Sequence, residues 1–199
     1  QPLAITGALS GTCLGRNNAD GASLSLDLQY QPEENLTTFA FANFSQTGVD
    51  QVGRQWTRTN ASGGTDTTNW YGDILYRDHT VGFGLKWQPE EKWDVGGTYV
   101  LNQGNGRSGV STNGGLAAAQ PMPETWNKLH TLQLFAKWDY SKQFSWRFNY
   151  LYENLKSYDW ATSDLGTTVP GVTSVIFTGQ QAPRYSNHVF GVSAVVKSW

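Results

Sequence analysis

The sequence has little of what soluble domains and membrane helices are usually built from. Its single cysteine, Cys13, excludes an intrachain disulfide, a paired-cysteine metal site and a haem-attachment motif. Any redox cofactor must therefore belong to a partner. Charged residues make up 15% of the chain, against about 25% in soluble domains. No window approaches the ~18 consecutive apolar residues with which a helix crosses a bilayer, so a helical membrane protein is excluded. The net charge is -2, with Lys and Arg dispersed along the chain, which leaves no basic field for nucleic acid. The chain opens at Gln1 with neither a methionine nor a signal peptide. That is the expectation for a processed or partial polypeptide whose export signal lies upstream.

What is abundant is aromatic: Trp, Tyr and Phe number nine each and together make 14%, although the mean hydropathy is -0.47. A membrane β-barrel reconciles the two, because only every second strand residue faces lipid while aromatics gather at the interfaces. Period-2 alternation, the mark of a strand with two unlike faces, recurs along the chain. In 22–30, Ala22, Leu24, Leu26, Leu28 and Tyr30 oppose Ser23, Ser25, Asp27 and Gln29. The same split runs through 80–88, 93–101, 131–140 and 144–153. Segments 3–10, 36–45 and 189–198 are less regular, the second with a parity shift after Phe41. The count is eight strands, with regular faces of about nine to eleven residues, enough for a tilted strand to cross the hydrocarbon.

Connection lengths alternate. Tight polar turns are expected at 31–35, 88–92 and 140–143, two of them spelling Gln-Pro-Glu-Glu, where Pro presets a turn φ. Long loops rich in Gly, Ser, Thr and Asn are expected at 46–77, 105–129 and 159–187, and the Gly-rich stretch 104–109 reads as exposed loop, not as a phosphate cradle. Short turns lie on the periplasmic side and long loops outside. Beside the short turns the apolar face carries Tyr30, Trp87, Trp93, Trp138, Tyr140, Phe144 and Trp146, a periplasmic aromatic girdle. The fold expected is therefore all-β, a single region over 1–199 of antiparallel transmembrane barrel strands in a bacterial outer membrane, its apolar face held by membrane lipid and lipopolysaccharide.

Two residue sets are candidates for function. The inward set Asp27, Lys86, Asp94, Lys137, Asp139, Arg147 and Glu153 carries both signs, which suits a protein surface better than a selective ion ring; the alternative is that these charges pair across neighbouring strands. His79, His130 and His188 share the lipid-facing parity at the outer rim, on alternate strands. Alternate strands lie roughly 10 Å apart, too far for one metal ion, and contact with outer-leaflet phosphates is the functional expectation. A barrel hydrolase would need His, Ser and a carboxylate converging at the rim. The long loops hold Ser and Asp in plenty, so that alternative stays open beside the reading taken here, a chain with no catalytic residue.

Several stretches resemble the MtrB/PioB family of outer-membrane barrels. The most specific is 123–164, PETWNKLHTLQLFAKWDYSKQFSWRFNYLYENLKSYDWATSD, with a Pro-led loop, a Leu-His-Thr-Leu strand, a short turn, an aromatic strand and Asp-Trp-Ala in sequence. GQQAPRYSNHVFGVSAVVKSW (179–199), QPEENLTTFAFANFSQTGVDQVGRQW (31–56) and the hairpin at 78–108 extend the resemblance to most of the chain from about residue 22. It departs at the end, where Val196 holds the outward parity and Trp199 falls off it, and in length, since family members are much longer.

The resemblance implies a porin-like sheath into which a periplasmic multihaem c-type cytochrome inserts, with haem c on that partner and none on this chain, and an extracellular cytochrome as a further partner. The inward charges would then contact the cytochrome. An eight-stranded barrel closed on itself is filled by its own side chains, so the sheath requires that these strands form the C-terminal arc of a larger barrel. The alternatives are a small autonomous eight-stranded barrel with a structural or adhesive role, and a diffusion porin.

Overall fold

A computed structural model describes residues 16–57, 66–113, 124–159 and 182–196. They form seven strands: β1 (Arg16–Glu33), β2 (Leu36–Thr57), β3 (Asp66–Glu90), β4 (Trp93–Asn113), β5 (Thr125–Asp139), β6 (Phe144–Tyr158) and β7 (Arg184–Val196). Each pairs antiparallel with its sequence neighbours in one meandering sheet. The fold is all-β, as the alternation requires. The expected first strand, 3–10, and Trp199 lie outside the described residues. Among the described residues β1 and β7 do not touch, so the sheet is open.

Directly paired residues point to the same side of a sheet, so the ladders sort the faces. The outward rows include Leu28–Ala40–Phe83–Tyr99–Leu132–Tyr152–His188 and Leu36–Trp87–Val95–Ala136–Phe148–Val192. No protein layer covers this face. No apolar side chain is buried among the described residues, while Leu24 is 71%, Phe83 62% and Phe190 77% exposed. A soluble sandwich would bury one face of each sheet against another; here the apolar face is left for lipid.

The tight turns form where expected. Both Gln-Pro-Glu-Glu segments carry a register shift before a two-residue turn, between Tyr30 and Glu33 and between Trp87 and Glu90. Pro32 and Pro89 fall within those shifts, where the ladder does not need the N–H that proline lacks. The third turn is held by Ser141, whose Oγ accepts from the backbone N–H groups of Gln143 and Phe144 at 3.3 and 3.2 Å.

The long loops are corrected. β2 continues to Thr57, β3 begins at Asp66, β4 reaches Asn113, β5 begins at Thr125 and β7 begins at Arg184, so much of 46–77 and 105–129 and the last residues of 159–187 are strand, while β6 ends at Tyr158, just before the third loop was expected. The strands run 13 to 25 residues, beyond the nine to eleven expected. Outside the hydrocarbon both faces meet water, so the polar alternation that marks a membrane strand ends while backbone pairing goes on. The 104–109 stretch is likewise strand, with the Gly104 N–H donating to Asn127 Oδ1 at 3.0 Å. The parity shift expected in β2 is absent as well. Its pairing with β1 and β3 runs unbroken from Thr38 to Val52, placing Ala40, Ala42 and Phe44 outward and Phe39 and Phe41 inward.

Candidate functional site

The inward face is built from alternate residues of every strand, and its charges concentrate near the short turns. Lys86, Asp94, Lys137, Asp139 and Arg147 come together on β3 to β6. Asp94 faces Lys137, and Lys137 faces Arg147, in one row. Lys86 Nζ lies 3.5 Å from Asp94 Oδ2, and Lys137 Nζ 2.9 Å from Asp139 Oδ1. The expected cross-strand pairing is thus present for Lys86 and Asp94, whereas Lys137 pairs two residues along its own strand. Arg147 engages differently: its Nε donates to Asn149 Oδ1 at 3.0 Å and its guanidinium sits 5.4 Å from the centre of the Phe135 ring, a cation–π arrangement. Asp27 and Glu153 are not part of this cluster; Asp27 stands opposite Phe41, and Glu153 between Thr131 and Asn187. Two buried oxygens here, Asp94 Oδ1 and Ser145 Oγ, have no hydrogen-bond partner among the described residues.

Beside the charges lies a feature that sequence patterning missed. Phe39 and Phe41 lean from β2 over Gly84 and Gly82 of β3, and Phe135 leans from β5 over Gly96 of β4. A Cβ at any of the three glycines would collide with the ring above it. Glycine in a strand often marks such a close approach, and here it lets three phenyl rings rest on the inward wall. The signal was visible as apolar residues on the polar parity of β2, but the glycines that explain them sit on another strand.

On the outward face Trp93, Trp138 and Trp146 form one row. Trp93 and Trp138 stack at 5.9 Å and 16°, and Tyr140 and Phe144 meet Trp138 and Trp146 edge-on at 5.6 and 5.3 Å. Tyr30 and Trp87 lie outward on β1 and β3, 69% and 43% exposed.

The three histidines lie outward on β3, β5 and β7. His130 sits two positions nearer the short turns than Lys128, the residue in His79's cross-strand row, and His188 two positions nearer than His130's row. That is one residue of offset per strand. With ~3.3 Å per residue and ~4.8 Å between strands it corresponds to a slope of about 35°, the tilt of barrel strands. The histidines therefore share one level. From His79 to the turn at Glu90, roughly eleven residues at such a tilt rise about 29 Å, close to the ~30 Å hydrocarbon thickness. Two of the rings are clamped by tyrosines: Tyr99 Oη lies 2.6 Å from His130 Nδ1, and Tyr150 Oη 2.9 Å from His188 Nδ1. His79 packs on Phe44 at 5.0 Å.

Residues 10–197 match the family described as outer membrane beta-barrel porin, MtrB/PioB. The chain belongs to the MtrB/PioB family. It is 24% identical over 192 residues to outer membrane protein MtrB of Shewanella baltica (strain OS185), a match covering 94% of this chain and 25% of that relative. The chain thus spans about a quarter of the curated relative's length. Among solved structures, the RagAB peptide importer in its open-open state aligns with a TM-score of 0.45 and 13% identity, over 89% of this chain and 19% of that one. As an MtrB/PioB member the chain is a porin-like barrel wall of the outer membrane.

Proposed function

We propose that this MtrB/PioB chain is one arc of a larger barrel, a passive sheath enclosing a multihaem c-type cytochrome through which electrons cross the outer membrane. The observation that carries the reading is the relief of the inward face. A small closed barrel fills its interior with its own side chains, but this face has glycine at 82, 84, 96 and 191, and its phenylalanines lean along the wall. Such a wall leaves its lumen for another occupant. The mixed-sign cluster of Lys86, Asp94, Lys137, Asp139 and Arg147 suits the polar surface of a folded protein, and the Phe39, Phe41 and Phe135 rings offer the aromatic contact that protein interfaces favour. Haem c resides on the partner in this scheme. The chain itself supplies insulation, docking and anchorage, with no catalytic step.

Purification from outer membranes in mild detergent tests the proposal. A haem absorbance band that travels with the polypeptide is expected, and the Lys137→Glu, Arg147→Glu double variant loses at least about tenfold of it, as expected when buried charge contacts reverse sign. A colourless protein that conducts small ions in planar bilayers would overturn the sheath in favour of a diffusion porin. Retention of haem by the double variant would move the docking surface elsewhere on the wall.

A further inference from the structure

The extension of β5, β6 and β7 beyond the histidine level places three cations side by side. Lys128 pairs directly with Lys156, and Lys156 with Arg184, all on the outward face. Neighbouring strands are ~4.8 Å apart, and like charges directly opposite one another repel. No carboxylate stands beside them among the described strand residues: the outward positions within β4 to β7 include none, Glu124, ahead of β5, lines a cleft with Arg77 and Arg107, and none of the three forms an ion pair among the described residues. Two other outward cations are engaged, Arg107 with Asp73 at 3.9 Å and Arg77 with Gln46 at 2.9 Å. A protein surface that builds an uncompensated row of like charges is complementary to an anion.

The surroundings say which anion. Below the row stand His130 and His188; with Nδ1 of each ring held at a tyrosine hydroxyl, Nε2 is the nitrogen left to meet a ligand. Below them, apart from the Tyr150 hydroxyl held at His188, the same face turns apolar through Leu132, Leu134, Phe148, Phe190 and Val192. The ligand that meets this face is therefore anionic at one end and hydrocarbon at the other. The periplasmic end of the same strands carries no outward cation, only Trp138, Phe144, Trp146, Ala194 and Val196. The asymmetry selects the leaflet opposite the short turns. We propose that Lys128, Lys156 and Arg184, with His130 and His188 beneath them, bind the phosphorylated sugar head of an outer-leaflet lipopolysaccharide, whose acyl chains lie on the apolar band. Three cations suit a head bearing more than one phosphate better than a singly charged phospholipid. The proposal rests on the outer-membrane location of the strands and is independent of the cytochrome reading.

Lipopolysaccharide retained by the full protein after detergent extraction and EDTA washing tests it, alongside binding to vesicles of phosphatidylethanolamine and phosphatidylglycerol with and without lipopolysaccharide. The Lys128→Gln, Lys156→Gln, Arg184→Gln variant is expected to retain about tenfold less, since charge-assisted contacts to phosphate are the strong ones. Lys142→Gln, in the periplasmic turn, retains the wild-type amount. If the triple variant fails to insert, Lys156→Gln alone removes the middle of the row and lowers retention about threefold. Wild-type retention by an inserted variant would overturn the proposal. So would displacement of lipopolysaccharide by millimolar inorganic phosphate, which would make this a free-anion site, or equal binding to vesicles lacking lipopolysaccharide.

Discussion

Phe41 and Gly82 face each other across β2 and β3 on the inward side, and the Phe41 ring occupies the space a side chain at position 82 would need. Phe39 repeats the relationship two residues along with Gly84. Restoring a β-branched side chain must push the ring off the wall, and overpacking of this kind costs about 1–3 kcal/mol. Gly82→Val is expected to lower the temperature at which the folded, fast-migrating form converts on a gel. The double variant Gly82→Val, Phe41→Ala recovers part of that loss, because the clash is removed with the ring.

The row Trp93, Trp138, Trp146 puts Trp138 between two indoles, with Tyr140 edge-on to it. Trp138→Ala removes the middle of the row. Its loss is expected to cost about 1–3 kcal/mol from aromatic pairing and apolar area together, measured by urea titration of the protein folded into lipid vesicles. Tyr140→Ala, which leaves the Trp93 stack in place, costs less.

Asp94 is poorly provided for. One carboxylate oxygen has no hydrogen-bond partner among the described residues, and the other lies 3.5 Å from a lysine whose side chain is 62% exposed. An ion pair with so exposed a member contributes about 0–1 kcal/mol, against which stands the cost of an unsatisfied buried oxygen. Asp94→Asn is therefore expected to leave the unfolding midpoint of the detergent-solubilised protein unchanged or slightly raised. A fall of several degrees would mean that the Lys86 pair outweighs the unsatisfied oxygen.

Above the membrane, the Tyr71 hydroxyl donates to Asp50 Oδ1 at 2.7 Å. That bond, followed by slight desolvation of the exposed ring and the negative charges of Asp50 and Asp73, holds the Tyr71 pKa above its ordinary value near 10. The folded state thus keeps this proton more tightly than the unfolded chain does. Whatever the pair contributes to the β2–β3 extension is fully present below pH ~10 and is lost as pH rises from there through the raised folded value. Ultraviolet titration should show one tyrosine ionising late, and Asp50→Asn should return it toward the ordinary range.

The sequence by itself determined the two faces of the membrane strands, the tight turns, the end that carries the tryptophans and the histidine parity. All of these follow from period-2 alternation and local turn chemistry, which a chain expresses without knowing its neighbours. Family membership was also legible, in the 123–164 segment that 10–197 now encloses. The strand extensions were not, because a strand with water on both sides has no apolar alternation to betray it. Nor was the inward placement of Phe39 and Phe41, which depends on Gly84 and Gly82 standing opposite, or the row of Lys128, Lys156 and Arg184, which lie far apart along the chain. Only tertiary pairing decides such things, since register joins residues that share nothing in sequence and sets which charges must stand side by side.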